Sequence, residues 1–508
     1  MLRDPLRLYI ADSYNFHRRN FGALFELIKR DGLKFHINRK RKDWWQLHGN
    51  YASMADRLAP HRTKLDGLST AELLAYTHNG ANVFSCARAE ILCLVLSLDR
   101  WVEKPVRGDD DSALIEELHA EAREILLSNM AAAMDWLDFW LAEFTSGKRY
   151  THCCVFSGSN IYSRTLLEIS RRVGVRAFVM ETFFTGNHFY CEEKFGPIPN
   201  NSDLGIDNYY DVISVPENTE RYAAARAEAH EAIRDMRPLN VRPDSEVAPD
   251  LFNNGKPIAF IVGQVVNDFS ILQTPLKNIN GIAWARALID ALLENSDFNI
   301  VFKAHPWERR RVNLRRPLSV EKISSYLAAM PEAQRARVKI VENSTISSVF
   351  RMADWVFMQC SQAGIEAAEA GFKPVVFGRP FYGRRGFTHD YEKLDAFFGD
   401  FHAGRIESRL TSVEYDAYER FIVKAIWRHL LTNDDDGIDR IRRIFNSTHA
   451  VEVAAEISVS ASPSMLSGRM QFRRQMTAVA AAIRENPFAY MRDRIFDQRR
   501  RIAGHFRD

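Results

Sequence analysis

Through the second half of the chain, short apolar runs alternate with helical patterns. Ile258 to Val262, Asn299 to Phe302, Val338 to Val341, Trp355 to Met358 and Pro374 to Phe377 read as strands, with helices over Ile282 to Leu293 and from Ser344 and Ser361 between them. Parallel strands cannot be joined by a hairpin and need a crossover, usually a helix, so this alternation predicts a doubly wound sheet. Ligands bind such sheets at the carboxyl edge. Two runs fall there: Lys303-Ala304-His305-Pro306, and Cys360-Ser361-Gln362-Ala363-Gly364-Ile365-Glu366, the second opening a helix. A lysine and a histidine facing a serine-capped helix N-terminus supply mobile donors and oriented N–H groups to a phosphate, so a nucleotide-phosphate site is expected, with a sugar nucleotide as ligand.

The first half starts with a strand, Leu6 to Ala11. A basic, aromatic segment from Lys34 to Trp45 follows, then helical patterns through Phe144. His152 to Phe156 reads as a strand, Ser157-Gly158-Ser159 as a turn, Ile161 to Val173 as a helix ended by Gly174, and Arg176 to Glu181 as the next strand, one βαβ unit. From Arg237 to Lys256, Pro, Asn, Asp and Gly interrupt the periodicity and mark a boundary. At 508 residues the chain exceeds one hydrophobic core. The expected division is a Rossmann-like domain over 1–249 with a helical insertion, a nucleotide-binding Rossmann-like domain over 250–460, and a basic amphipathic helical tail over 461–508 packing back on the first. Two doubly wound α/β domains with a cleft between them form the GT-B arrangement of many glycosyltransferases.

Charge and cysteines narrow the class. A net charge of +3 on balanced acids and bases argues against a nucleic-acid partner. The six cysteines, at 86, 93, 153, 154, 191 and 360, form no CxxC pair or zinc-like set and read as reduced thiols. No apolar signal segment follows Met1, and charged residues interrupt Ala81 to Val102, which reads as a buried helix and not a membrane span. A cytoplasmic chain is expected. The arginine-rich tail from Arg469 fits either a helix packed on protein or one lying on the inner face of the inner membrane.

Each candidate residue has a plain structural reading beside the functional one. Ser361 is expected to cap the helix from Ala363, with Gln362 beside it and the small Gly364 admitting a phosphate, yet the pattern also fits an ordinary capped helix. Glu366, one turn in, suits a ribose hydroxyl or the helix dipole alone. Side chains alternate along a strand, so Lys303 and His305 need not both face the cleft; His305, before Pro306, is the expected donor to a phosphate or leaving group, or else a structural loop histidine. Gly263 to Ser270 brings Gln264, Asp268 and Ser270 to the same crevice, with Asp268 as a nucleophile, a substrate ligand or a turn aspartate. Glu181 ends a strand of the first domain and would face the cleft from the other side. Arg384 and Arg385 fit a donor carboxylate or a solvated loop, and Lys34 to Trp45 an acceptor-lipid surface or a solvated loop.

The segments Gly263 to Ser270, Lys303 to Pro306 and Cys360 to Asp390 resemble bacterial capsule polysaccharide biosynthesis proteins, especially the retaining β-Kdo transferases. The most specific is the last, in which Ser361-Gln362-x-Gly364-x-Glu366-Ala367 leads through Pro374 to Gly378 into Pro380-Phe381-Tyr382-Gly383 and Thr388-x-Asp390. The similarity spans mainly Glu181 to Asp390, with gaps. Two departures stand out: alanine at 304 where proline is commoner, and no aromatic in Gly383-Arg384-Arg385-Gly386.

The resemblance implies a CMP-sugar co-substrate carrying Kdo or a related acidic sugar, held by His305 and the Ser361 helix, with no cofactor and no metal. It also implies a lipid-linked or glycan acceptor and a double displacement, with Asp268 as nucleophile and Glu181 as base. The alternatives are a GT-B transferase using a UDP-sugar or CDP-glycerol, and a non-catalytic capsule assembly or export-coupling subunit.

Overall fold

The computed structural model describes residues 5–216, 218–236, 250–308 and 316–447. Its strands, in chain order, are β1 (Arg7–Ile10), β2 (Lys34–Ile37), β3 (Thr77–His78), β4 (Ala81–Asn82), β5 (His152–Phe156), β6 (Arg176–Thr182), β7 (His188–Glu193), β8 (Ile258–Val262), β9 (Asn299–Lys303), β10 (Val338–Val341), β11 (Trp355–Met358), β12 (Val375–Val376), β13 (His389–Asp390) and β14 (Leu431–Thr432). They build two six-stranded sheets and the small β3–β4 hairpin. The first sheet runs β2-β1-β5-β6-β7-β14, parallel from β2 to β6, with β7 antiparallel to β6 and β14 antiparallel to β7.

The second sheet runs β10-β9-β8-β11-β12-β13 and is parallel throughout. Counted within this half, that is the 3-2-1-4-5-6 order of Rossmann sheets, and the order reverses between β8 and β11. Crossovers from these two strands leave in opposite directions, so a crevice opens beyond their carboxyl ends. The α/β reading of the sequence is therefore the observed architecture.

Alternating side chains divide the core. Tyr9, Cys153, Val179, Phe260, Val301 and Met358 join one cluster that runs continuously through both halves. Leu8, Ile10, Cys154, Phe178 and Met180 face a second, and Ala259, Ile261, Ile300, Phe302 and Phe357 a third. This is the period-two pattern of strands buried on both faces. Local signals held where they were strong. The helix Ile161–Val173 ends at Gly174 in the left-handed region, as its sequence predicts. Ala81 to Val102 instead opens with β4, and its buried helix covers Val83–Val95. No helix among the described residues is long and apolar enough to cross a membrane. All six cysteines are buried and free.

Two expectations change. The helix Asp435–Asn446, assigned with β14 to the 250–460 domain, returns to the first sheet, where Ile438, Ile441 and Phe445 pack with Leu8, Ile10 and Phe178. Its strong amphipathicity supplies the cover that this sheet face needs. The Lys34 to Trp45 segment is not wholly a solvated loop, although Lys34, Phe35, Arg39, Lys40 and Lys42 stay exposed. Trp44 and Trp45 are buried, and the Arg41 guanidinium lies 4.4 Å from the Phe139 ring centre and 2.5 Å from an Asp135 oxygen. Burying two indoles and pairing the arginine outweighs any gain from exposure. The tail, 461–508, and the boundary stretch, 237–249, lie outside the described residues.

Glu192 on β7 ties the returning chain to the sheet. Its carboxylate is buried and bonded to Lys194 (2.5 Å), the Ser202 hydroxyl (2.6 Å) and His429 Nε2 (2.8 Å). Burial would raise its pKa, but Lys194 and His429 outweigh that and hold the group well below the usual carboxylate range. Glu192→Ala strands the buried Lys194 ammonium with fewer partners. Urea denaturation of this variant should show a loss of about 3 kcal/mol.

Candidate functional site

The loop after β8 delivers the first group. Asp268 caps the short helix Phe269–Leu272 by accepting the Ser270 N–H (2.9 Å). The helical insertion clamps this loop: Arg88 donates to the Leu272 carbonyl (2.6 Å) and Asn267 to the Cys93 carbonyl (3.2 Å). Asp268 is thus also the turn-capping aspartate of its plain reading, now fixed in position. Gln264 Nε2 donates to Ser270 Oγ (2.7 Å), while Gln264 Oε1 is buried with no hydrogen-bond partner. It lines a narrow cavity together with Trp284, Ser319 and Gln359, and Trp284 Nε1 is likewise buried and unpartnered.

Glu181 comes from the first sheet. It sits within β6 opposite Tyr190, with Oε2 buried and unpartnered. Burial, with the nearby Asp268 charge adding to it, pushes its carboxyl up to about 8, against a hydrogen bond from Ser157. The charge of Asp268, the other carboxylate named from the sequence, thus reaches the Glu181 carboxyl. Ser157, the residue after β5, holds a left-handed backbone (φ 59°). Such strain in a residue with a side chain concentrates at functional positions.

The second sheet supplies the remaining groups. Lys303 ends β9 with its ammonium buried, donating to the Glu342 carbonyl (3.2 Å) and facing Glu366. Burial raises Glu366 to about 7, and Lys303 opposes that rise. His305 lies beyond β9, half-buried, its Nδ1 accepting the Trp307 N–H (3.1 Å), which puts the proton of the neutral ring on Nε2. The turn through Pro306 is anchored by Glu308, whose buried carboxylate accepts the Ser319 N–H (2.9 Å) and hydroxyl (2.7 Å) at the start of the helix Leu318–Ala328.

Two site expectations are corrected. The helix after β11 covers Ala363–Glu369, with Gln362 and not Ser361 in the capping position. Ser361 instead takes the Ala363 N–H on its hydroxyl (3.3 Å) and the Gly364 N–H on its carbonyl (3.2 Å), so these donors are already used. A Cβ on Gly364 would collide with the Tyr382 hydroxyl, which itself donates to the Ser361 carbonyl (2.5 Å); the glycine admits a tyrosine here. Arg385 is not available to a donor carboxylate. It binds Asp207 (2.8 Å) and the Leu204 carbonyl (2.8 Å) and lies 4.1 Å from the Tyr210 ring centre, fastening this loop to the segment that follows β7. Arg384 is exposed, with a left-handed backbone (φ 60°).

Sequence reasoning missed Ser157, Asn200 and Arg88. Ser157 follows a strand of the first sheet just as Gly263 follows β8, which was a usable signal. Asn200 donates to Thr274 Oγ1 (2.8 Å) and contacts Cys360 Sγ (3.5 Å), a junction between distant segments that no local pattern announces.

Residues 218–417 match the family model described as capsule polysaccharide biosynthesis protein, so the resemblance read in the sequence holds over that segment. No curated protein matches the chain. Among solved structures it is similar to the Thermosulfurimonas dismutans KpsC beta Kdo 2,4 transferase, with 19% identity over 54% of this chain and 79% of that one and a TM-score of 0.37. It is also similar to the beta Kdo 2,7 transferase of the same organism's KpsC, with 17% identity over 57% and 80% and a TM-score of 0.35.

A carboxyl raised by the fold holds its proton more tightly folded than unfolded. Glu181 therefore contributes stability that is full below its ordinary value near 4.5 and is lost as pH rises through about 8. Glu181→Gln should remove that loss. In urea denaturation at pH 5 and pH 8, the variant should gain on the parent by on the order of 2 kcal/mol at the higher pH.

Proposed function

From the segment shared with capsule polysaccharide biosynthesis proteins, we propose a retaining glycosyltransferase that moves Kdo or a related acidic sugar from a CMP donor to a lipid-linked or glycan acceptor during surface polysaccharide assembly. The observation that carries this reading is that the charge of Asp268, on the loop after β8 where the second sheet reverses its order, adds to the rise of the buried Glu181 carboxyl of the first sheet. The GT-B arrangement, with the first sheet on the acceptor side, and a cytoplasmic location at the inner face of the membrane belong to the same reading.

In this mechanism Asp268 attacks the anomeric carbon and the nucleoside monophosphate leaves. His305 Nε2–H and the Ser361 hydroxyl donate to the departing phosphate. Glu181 holds its own proton at neutral pH and is not yet a base. Burial is the main cause that raises Glu181; formation of the neutral glycosyl ester on Asp268 removes the smaller contribution of the Asp268 charge, which lowers the pKa and favours loss of the proton to water. The resulting carboxylate takes the proton of the acceptor hydroxyl, which displaces Asp268 and restores the starting configuration.

Asp268→Ala and Glu181→Gln should each lower transfer from CMP-Kdo by more than about 100-fold, with unchanged folding by circular dichroism. Near-normal turnover in either removes the double displacement. A thermal-shift series with CMP, CDP, UMP and UDP tests the donor: CMP should stabilise the protein selectively, and less so in His305→Ala. Preference for a uridine nucleotide redirects the donor assignment, and no response to any nucleotide favours a non-catalytic subunit.

A further inference from the structure

The helical insertion of the first half carries a cluster that the proposed reaction does not use. Asp138 lies within the helix Arg123–Thr145, His61 in the last turn of the helix Ala55–Arg62, and His78 on β3. Both imidazoles present Nε2 to the same carboxylate, His78 at 2.7 Å from Oδ1 and His61 at 3.4 Å from Oδ2. One ligand atom from each of the three lies within 4.8 Å of the others, the one such group among the described residues.

The sequence shapes the hairpin that carries His78 locally. Thr77-His78-Asn79-Gly80-Ala81-Asn82 is a two-residue hairpin whose central Asn79 (φ 49°) and Gly80 (φ 77°) are both left-handed, the backbone that Asn-Gly favours. The turn is pinned on its outer side, since a Cβ on Gly80 would meet Arg172 at 2.6 Å. It also aims Asn79, which donates to Asp138 Oδ1 (2.7 Å) and orients the carboxylate. The two histidine side chains are mostly covered (12% and 18% exposed), whereas that of Asp138 is 46% exposed and open to water.

We propose that His61, His78 and Asp138 bind a divalent transition-metal ion of the zinc class, with water completing the coordination. Two imidazoles and one carboxylate suit a borderline ion better than calcium or magnesium, which take oxygen ligands. Bonds of about 2.0–2.2 Å place ligand atoms about 3.3 Å apart in a tetrahedron, so the present spacing closes with side-chain shifts of about 1 Å. Asn79 serves as the outer partner that holds the carboxylate. Because the ligands come from three separate elements, the ion ties the insertion together, and none of them lies on the loops that carry Glu181, Asp268 or His305.

The test uses the full-length protein stripped of metal by a chelator and dialysed against buffered Zn2+, with bound metal counted by mass spectrometry. The parent should hold one equivalent and melt at a higher temperature with Zn2+ than without. His78→Ala and Asp138→Asn should lose the ion. Asn79→Gly, which keeps the left-handed turn but removes the amide, should weaken affinity about 10-fold. Co2+ in place of Zn2+ should give the visible absorption of a nitrogen- and oxygen-ligated ion in the parent and none in the variants. Equal Zn2+ binding by parent and His61→Ala/His78→Ala/Asp138→Asn, or no binding by the parent at micromolar free Zn2+, overturns the proposal.

Discussion

The strand order of the second sheet is the constraint from which the site follows. With β8 and β11 adjacent and parallel, their crossovers must leave on opposite sides, and no helix can fill the space beyond their carboxyl ends. The Gly263–Ser270 loop and the Cys360–Glu366 segment both begin at that gap. Gly263 allows the crowding there, since a Cβ would lie 2.5 Å from the Lys303 carbonyl. Asp268, Ser361 and His305 lie at one carboxyl edge because of topology, although more than ninety residues separate the first from the second.

Holding a carboxylate such as Glu181 out of water works against stability at neutral pH, and the fold offsets that elsewhere. The insertion helix Val83–Val95 anchors the Asp268 loop through Arg88 and the Cys93 carbonyl, and its buried Glu90 accepts the Ile161 N–H (2.8 Å) at the start of the helix after β5. One helix thus braces loops that meet from both sheets. Arg385 provides a further tie from the Gly383–Gly386 loop to the segment after β7. Such braces fix the Asp268 loop, whose charge adds to the burial that raises Glu181.

Legibility followed the range of the interaction. The strands β5, β8, β9 and β11 and the helix Ile161–Val173 were readable because burial pattern and caps are local. Strands β2, β7 and β14 were not: Lys34–Ile37 is charged and half exposed, His188–Glu193 carries two glutamates, and Leu431–Thr432 has only two residues. Each becomes a strand because a neighbour offers its hydrogen-bonding edge. Among the site residues, Asp268 and Glu181 could be named from their positions after and at the end of strands. The assignments of Arg385 and Gly364 failed for the opposite reason, because Asp207 and Tyr210 reach the first, and Tyr382 the second, only in three dimensions.

By itself the sequence determined that apolar runs would alternate with helices, that the polar loops would gather at a carboxyl edge, and which segment is shared with capsule polysaccharide biosynthesis proteins. These follow from backbone hydrogen bonding and periodic burial, which act over a few residues. Only the tertiary structure decided that the Asp268 charge reaches Glu181, that Trp44 and Trp45 are core, that Asp435–Asn446 covers the first sheet, and that His61, His78 and Asp138 converge. Electrostatic coupling and packing depend on distance in space, and no spacing along the chain encodes that distance until the sheets have closed on each other.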